Sequence, residues 1–388
     1  MYVSMRWLER HVDLTDITPE QLCNDLTLST AEVEGLERFA PALHDVVVGH
    51  VLDCEPHPDA EKLSLCSVDV SASESRPEPL TIVCGAPNIS AGQKVAVATV
   101  GTTLPGDLAI KKTKIRGIAS HGMICSVREL GLGEEHDGIW VLPEQAATGT
   151  SVAAALDLDD WVIEIDNKSL THRPDLWGHR GIAREVAAIY RRELLPIDTS
   201  MPETGRDTPY PVTIETKGCT RYLGLPIEGV SPRPSPDWLR WLLLSVGQRP
   251  IDLLVDLSNF VMLDLGQPNH VFDRTRLDAL GDHRGIVVRR AREGETIETL
   301  DGLDRALRPE DLLICAGDAP VALAGIMGGE DSKVASGTDS LLLEVAHFEA
   351  TTIRRTSSRL ALRTDSSARF EKSLDPTLPL QAAGHFAR

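Results

Sequence analysis

The chain has 388 residues with 42% hydrophobic content and with 30 glycines and 24 prolines along its length. That is enough for two or three domains with real cores and excludes a peptide or a coiled coil. Thirty-nine basic residues against 58 acidic ones give a net charge of −19, so a surface that holds nucleic acid by overall charge is excluded and any such contact has to be a local basic patch. No apolar run approaches the roughly 18–20 residues of a membrane span, and the first residues include Glu9, Asp13 and Asp16 where a signal would be basic and apolar. The expectation is a soluble, cytoplasmic chain. Seven cysteines at 23, 54, 66, 84, 125, 219 and 315, with no CxxC pair, argue against a zinc site or disulfide framework and for reduced, mostly buried thiols.

In chain order, Thr18-Pro19-Glu20-Gln21 reads as a capping box with proline at the first helical position, followed by Leu22 and Leu26 at helical spacing. From about Val46 to Pro143 the texture changes to short β-branched runs separated by Gly, Pro and Asn: Val46-Val47-Val48, Leu80-Thr81-Ile82-Val83 and Lys94 to Val100. Such spacing predicts a small β-barrel. Between Leu108 and Arg128 lie five basic residues, Lys111, Lys112, Lys114, Arg116 and Arg128, and no acidic one. In so acidic a chain this is a candidate phosphate-binding surface, although charge alone favours an ordinary solvated face.

Helical texture returns at Arg180 to Glu193, with Ile182, Val186, Ala187 and Tyr190 on one face, and the Pro-, Thr-, Ser- and Asp-rich stretch from about Pro196 to Pro209 reads as a linker. Ser235-Pro236-Asp237 then starts a helix with Leu239, Leu242, Leu243 and Val246 toward the core and Gly247 as its stop. The rest, to Arg388, reads as one α+β domain of about 180 residues. No internal repeat stands out, which sets aside a solenoid.

Within the barrel region, His57-Pro58-Asp59-Ala60-Glu61-Lys62-Leu63, then Val83-Cys84-Gly85-Ala86-Pro87-Asn88, then Lys112-Thr113-Lys114-Ile115-Arg116-Gly117 with Ser120 and Gly122-Met123 follow in order. This order resembles the tRNA-binding OB-fold domain attached to several aminoacyl-tRNA synthetases. Such a barrel tracks a phosphate backbone along a groove, with loop lysines supplying charge. Lys111, Lys112, Lys114 and Arg116 are the expected RNA contacts. His57 reads as a loop or packing histidine, and neither Cys84 nor Cys125 as a nucleophile.

The second half carries Gly247-Gln248-Arg249-Pro250-Ile251-Asp252, Val255 to Leu263, Gly266-Gln267-Pro268-Asn269-His270-Val271-Phe272-Asp273 and Leu300-Asp301-Gly302. It continues with Leu323 to Glu330, Leu342-Leu343-Glu344, Leu362-Arg363-Thr364-Asp365-Ser366-Ser367 and Arg369-Phe370-Glu371. This series resembles the β subunit of bacterial phenylalanyl-tRNA synthetase, as does Ile163-Glu164-Ile165-Asp166 through Arg173-Pro174-Asp175-Leu176 to Gly181-Ile182-Ala183-Arg184-Glu185. The resemblance implies a multidomain α+β chain. Residues 1–39 and 153–197 would form a discontinuous mixed N-terminal module around an inserted OB-fold barrel at 40–152, with a linker at 198–209 and an α+β editing domain at 210–388.

The resemblance further implies that the last domain hydrolyses tyrosine wrongly attached to the phenylalanine tRNA, with Glu344 recognising the tyrosine hydroxyl. Ser258, Asn259, His270, the Gly328-Gly329 turn, Thr364 and Ser366 would line that pocket. His270 fits either a water-positioning role or one that anchors the tRNA terminus. The implied partners are tRNA(Phe) and a catalytic α subunit, with no DNA and no membrane. ATP and magnesium would belong to the complete α/β enzyme, leaving no cofactor and no metal in this chain. Two alternatives stay open: a free-standing deacylase acting in trans, and a non-catalytic tRNA-binding module. Taken singly, Glu344 also fits a paired structural carboxylate, His270 a turn histidine and Gly328-Gly329 a plain turn.

The sequence departs from the family pattern at Lys372-Ser373, where Arg-Gly is usual, and at Ser258 and Phe260, where Thr and Tyr are common. The first departure puts a local turn in question.

Overall fold

The computed structural model describes residues 1–71, 78–202, 210–281 and 284–388 and separates into two compact units. One comprises Glu37–Val162; the other joins Met1–Leu36 to Ile163–Arg388. Of the stretch read as a linker, 203–209 lies outside the described residues.

The Glu37–Val162 unit is built on antiparallel strands in the order Gly122–Ile124, Lys94–Thr99, Val47–His57, Ala60–Asp69, Leu80–Cys84, with Val141–Leu142 also paired to Lys94–Thr99. The two edges meet: His121 N–H donates to Thr81 O at 2.9 Å and Val83 N–H to Ser120 Oγ at 3.2 Å. The sheet is therefore a nearly closed barrel. Its interior is filled by Val51, Cys66, Val68, Ile82, Val95, Val97 and Ile124. Tight curvature needs Gly49, since a Cβ there would stand 2.5 Å from Val97 Cγ2 and 2.8 Å from Val68 Cγ1.

In the other unit, two sheets stack. The larger has the order Val212–Ile214, Ile286–Arg290, Leu312–Ala316, Ala319–Leu323, Met327–Gly328, its first pair parallel and the rest antiparallel. The smaller centres Ser340–Phe348 between Cys219–Glu228 and Asn269–Asp273, all antiparallel. Every residue from Ser340 to Ala346 is buried, as expected of a strand covered on both faces. Leu342, Ala346 and Phe348 face the larger sheet with Phe272, Leu313 and Val321. Leu341, Leu343 and Val345 face helices Asp237–Ser245, Leu253–Leu265 and Leu378–Ala387. Each of these leucine, valine and phenylalanine side chains stabilises the fold by about 1.5–3 kcal/mol through removal from water.

The sequence separates the N-terminal residues from the α+β segment at 198–209, whereas the structure packs them into one core. Trp7 stacks on Phe260 at 5.1 Å and on His179 at 4.0 Å between centroids. Its Nε1–H donates to Asp264 Oδ1 at 2.7 Å; His11 Nε2 lies 2.5 Å from the same oxygen, and His385 Nε2 lies 3.0 Å from Oδ2. Arg180 can only donate, so at 3.3 Å His11 Nδ1 is its acceptor and the His11 proton sits on Nε2, toward Asp264. Burial alone would raise the Asp264 carboxyl, but the bonds from His11 and His385 outweigh it and hold it well below the usual carboxylate range. One aspartate thus ties the N-terminal residues to two helices of the C-terminal segment.

The helix expected at 180–193 runs His179–Tyr190 and ends where Arg191 takes a left-handed φ of 54°. Thr18 caps Pro19–Ser29 by accepting Gln21 N–H at 3.2 Å. Ser373 sits at φ 61°, a conformation that favours glycine, so the turn left in question by sequence is retained under strain. Beside it, Lys372 pairs with Glu371 at 2.8 Å and lies over the Trp177 ring.

Candidate active site and nucleic-acid interface

A cavity of about 660 Å³ opens between helix Leu253–Leu265, strand Asn269–Asp273, the turn at 325–326 with strand Met327–Gly328, and the start of helix Asp365–Phe370. Its wall includes Ser258, Asn259, His270, Gly328, Glu344, Thr364 and Ser366, seven of the eight residues picked out by sequence. The eighth, Gly329, is not in the wall. Its N–H donates to Val321 O at 2.8 Å, and a Cβ there would meet that oxygen at 2.7 Å. Gly328 ends strand Met327–Gly328, and neither glycine has positive φ, so the expected Gly-Gly turn is absent; the turn glycine is Gly325 at φ 68°. What position 328 requires is space: a Cβ would lie 2.7 Å from both Cε1 and Nε2 of His270.

Glu344 and His270 are direct cross-strand neighbours, and Gly224 faces Glu344 from the other side. They stand on the sheet face otherwise made by Leu342, Phe272, Tyr222 and Ala346. Glu344 is 6% exposed, and its carboxyl has no hydrogen-bond or ion-pair partner among the described residues. Burial pushes it up to about 8. His270 Nε2 is buried and unpartnered, and burial takes the ring down to about 4. At neutral pH the pair is a protonated carboxyl beside a neutral imidazole, both with unmet hydrogen-bonding capacity.

The hydroxyls are differently employed. Thr364 Oγ1 donates to Ile326 O at 2.8 Å and accepts Ser367 N–H at 3.1 Å in a capping box, and Ser366 Oγ donates to Gly325 O at 3.1 Å. Ser258 Oγ donates to Asn269 O at 3.1 Å while Asn269 Nδ2 returns a bond to Ser258 O at 3.0 Å. These three side chains hold the cavity's walls in place. Asn259 is left with no hydrogen bond from its side chain among the described residues. Wall residues that sequence reasoning missed include Asn269, whose Oδ1 is buried and unpartnered, and Met262, Asp252, Lys333 and Phe370. Asn269 precedes His270 in the same motif and was the one with a readable signal.

In the barrel unit, strands Thr113–Ile115 and Ile118–Ser120 form a hairpin turned by Arg116 and Gly117 at φ 48° and 88°, the mirror-image turn that suits strand twist. Lys111, Lys112, Lys114 and Arg116 are all exposed and make no ion pair among the described residues. Arg128 is exposed as well. His57 Nδ1 accepts Asp59 N–H at 3.1 Å, a loop role.

Residues 46–151 match the family model for a tRNA binding domain, and 218–388 match that for a B3/4 domain. The phenylalanine--tRNA ligase beta subunit of a Bacillus cereus strain is 44% identical over 397 residues, covering 100% of this chain. Over its whole length the chain is a homologue of that beta subunit. The Nitratidesulfovibrio vulgaris subunit is likewise 44% identical, over 392 residues and again 100% of this chain. The chain spans about half, 48%, of the length of these relatives. Among solved structures, an N-terminal fragment of the phenylalanyl-tRNA synthetase beta subunit from Pyrococcus horikoshii is 16% identical and covers 52% of this chain and 61% of its own, with a TM-score of 0.27. Among the described residues no helix is long and apolar enough to cross a membrane.

Proposed function

We propose that this chain binds tRNA(Phe) through its barrel, read as an OB-fold, and hydrolyses tyrosine from mischarged Tyr-tRNA(Phe) in the cavity of the B3/4 segment. It would do so in the cytoplasm, as part of a ligase whose α subunit performs the ATP- and magnesium-dependent aminoacylation. The observation that carries this reading is the unpartnered Glu344–His270 pair, set among the apolar side chains of one sheet face and lining an open cavity.

An apolar pocket selecting phenylalanine rejects tyrosine only weakly, whereas a buried group that needs a hydroxyl partner discriminates strongly. A protonated Glu344 can donate to and accept from a phenolic hydroxyl at once; phenylalanine leaves it unmet, at a cost of about 1–3 kcal/mol. Asn259 and the neutral His270 hold the ester end and its attacking water, while Thr364, Ser366 and Ser258 fix the walls around them. Gly328 gives the His270 ring its room, and Gly329 supports that strand through Val321. Lys111, Lys112, Lys114 and Arg116 contact phosphates.

The test is release of tyrosine from Tyr-tRNA(Phe) by the chain and by its Glu344→Ala variant, with Phe-tRNA(Phe) as control. Selective hydrolysis that falls about tenfold or more in the variant is expected. Equal release of both amino acids, or release unaffected by the substitution, overturns the assignment of Glu344; tRNA binding with no hydrolysis leaves a binding module.

A further inference from the structure

The seven cysteines are all free, and their contacts sort them. Cys125 Sγ donates to Met123 O at 3.7 Å and Cys219 Sγ to Arg221 O at 3.3 Å, thiols satisfied by backbone. Cys54 and Cys66 differ: they are directly opposed on the antiparallel strands Val47–His57 and Ala60–Asp69, with their sulfurs 3.7 Å apart. Opposed residues of such a pair have Cα atoms about 4.5–5.5 Å apart, inside the range a disulfide spans. Closing the sulfurs to a bond of about 2.05 Å needs only side-chain rotation. Cys66 is buried at 1% exposure, whereas Cys54 is half-buried and sits one residue past a bulge between Val51 and Asp53.

Cys84 is the rival partner, and the register disfavours it. It opposes Ser64, two residues along from Cys66, and its sulfur already accepts Ala86 N–H at 3.5 Å.

We propose that Cys54 and Cys66 form a redox-modification site on the barrel, in which hydrogen peroxide converts the facing thiols to a reversible cross-strand disulfide. The Cys54 thiolate attacks one peroxide oxygen; the O–O bond breaks, the other oxygen leaves as hydroxide and takes a proton to become water, and Cys54 becomes a sulfenic acid. The Cys66 sulfur then attacks the Cys54 sulfur, the S–O bond breaks, and the departing hydroxide takes the Cys66 proton as a second water. Each sulfur gives up one electron and the peroxide receives both. The order follows access: Cys54 meets solvent first, while burial pushes the Cys66 thiol up and keeps it protonated until a sulfenic acid stands before it. A dithiol reductant returns both groups by exchange. In a reducing compartment the resting state is the dithiol.

The experiment treats the full chain with hydrogen peroxide, unfolds it, blocks free thiols with maleimide and weighs it. The expected result is two fewer maleimide adducts than the untreated chain, a proteolytic peptide pair joined through Cys54 and Cys66, and full recovery with dithiothreitol. Cys84→Ser should leave the cross-link in place. Cys54→Ser should abolish it. Cys66→Ser should strand Cys54 as a sulfenic acid trapped by dimedone, with Cys66→Ala as a second variant if the serine disturbs the barrel's circular dichroism. Linkage to Cys84, linkage between two chains, or oxidation of Cys54 to sulfinic acid with no cross-link overturns the proposal.

Discussion

Replacing Glu344 by glutamine removes a titration without removing volume, and the structure sets its size. Burial raises the Glu344 carboxyl from 4.5 to about 8, so the folded chain holds a proton that the unfolded chain has released anywhere between those values. Stability from this group is complete below about pH 4.5 and declines as pH rises, at about 1.4 kcal/mol per pH unit, until the folded carboxyl itself ionises near 8. The accumulated cost is about 3 kcal/mol at pH 7 and about 5 kcal/mol above pH 8. His270 runs the other way. Its ring is lowered from 6.5 to about 4, so its contribution is complete above 6.5 and is lost as pH falls through 4.

The two opposing slopes overlap below pH 6.5, which makes the interval from 6.5 to 8 the one where Glu344 stands alone. There the native chain should lose about 2 kcal/mol relative to Glu344→Gln, measured as the difference between urea unfolding free energies at each pH. The amide has its own unmet bonds, but that offset does not vary with pH. Parallel stability curves across this interval would refute the burial argument and with it the protonated state assigned to Glu344.

Gly328→Ala should displace the His270 ring, because the new Cβ has 2.7 Å to two ring atoms, and lower tyrosine release about tenfold or more in a deacylation assay with circular dichroism unchanged. Ser373→Gly should stabilise the chain by about 0.5–1 kcal/mol in thermal or urea unfolding, as relief of a left-handed residue exceeds the entropy glycine adds to the unfolded chain. Asp264→Asn should destabilise by about 3 kcal/mol, since the carboxylate serves Trp7, His11 and His385 together. Replacing Lys111, Lys112, Lys114 and Arg116 together by alanine should flatten the log-affinity against log-salt slope for tRNA by about 3 to 4, read by filter binding, and an unchanged slope would move the phosphate contacts elsewhere.

Much of the secondary structure could be read locally. Thr18-Pro19 starts a helix because a side-chain acceptor and a fixed φ act within one turn. The β-branched runs at 46–48, 80–83 and 94–100 pair because branched side chains suit a pleated, curled surface. Roles inside the cavity were less legible. Thr364, Ser366 and Ser258 looked like groups aimed at a substrate, but each hydroxyl meets a main-chain carbonyl brought to it by folding, from as far as 41 residues away at Ser366 and Gly325. Gly328-Gly329 looked like a turn and is instead a place where a ring and a carbonyl come too close for a Cβ.

The sequence by itself determined the likeness to these beta subunits, the order of its segments and the identity of most of the side chains that meet in the cavity, because these are carried by local patterns and by motifs in register. Only the tertiary structure decided which of those side chains are free to act. It placed Glu344 and His270 opposite each other in an apolar face, which alone alters their protonation, and it brought Asp264 within reach of Trp7, His11 and His385, merging segments the chain keeps more than 100 residues apart. Burial and hydrogen-bond partnership are properties of through-space neighbours, and no spacing along the chain encodes them directly.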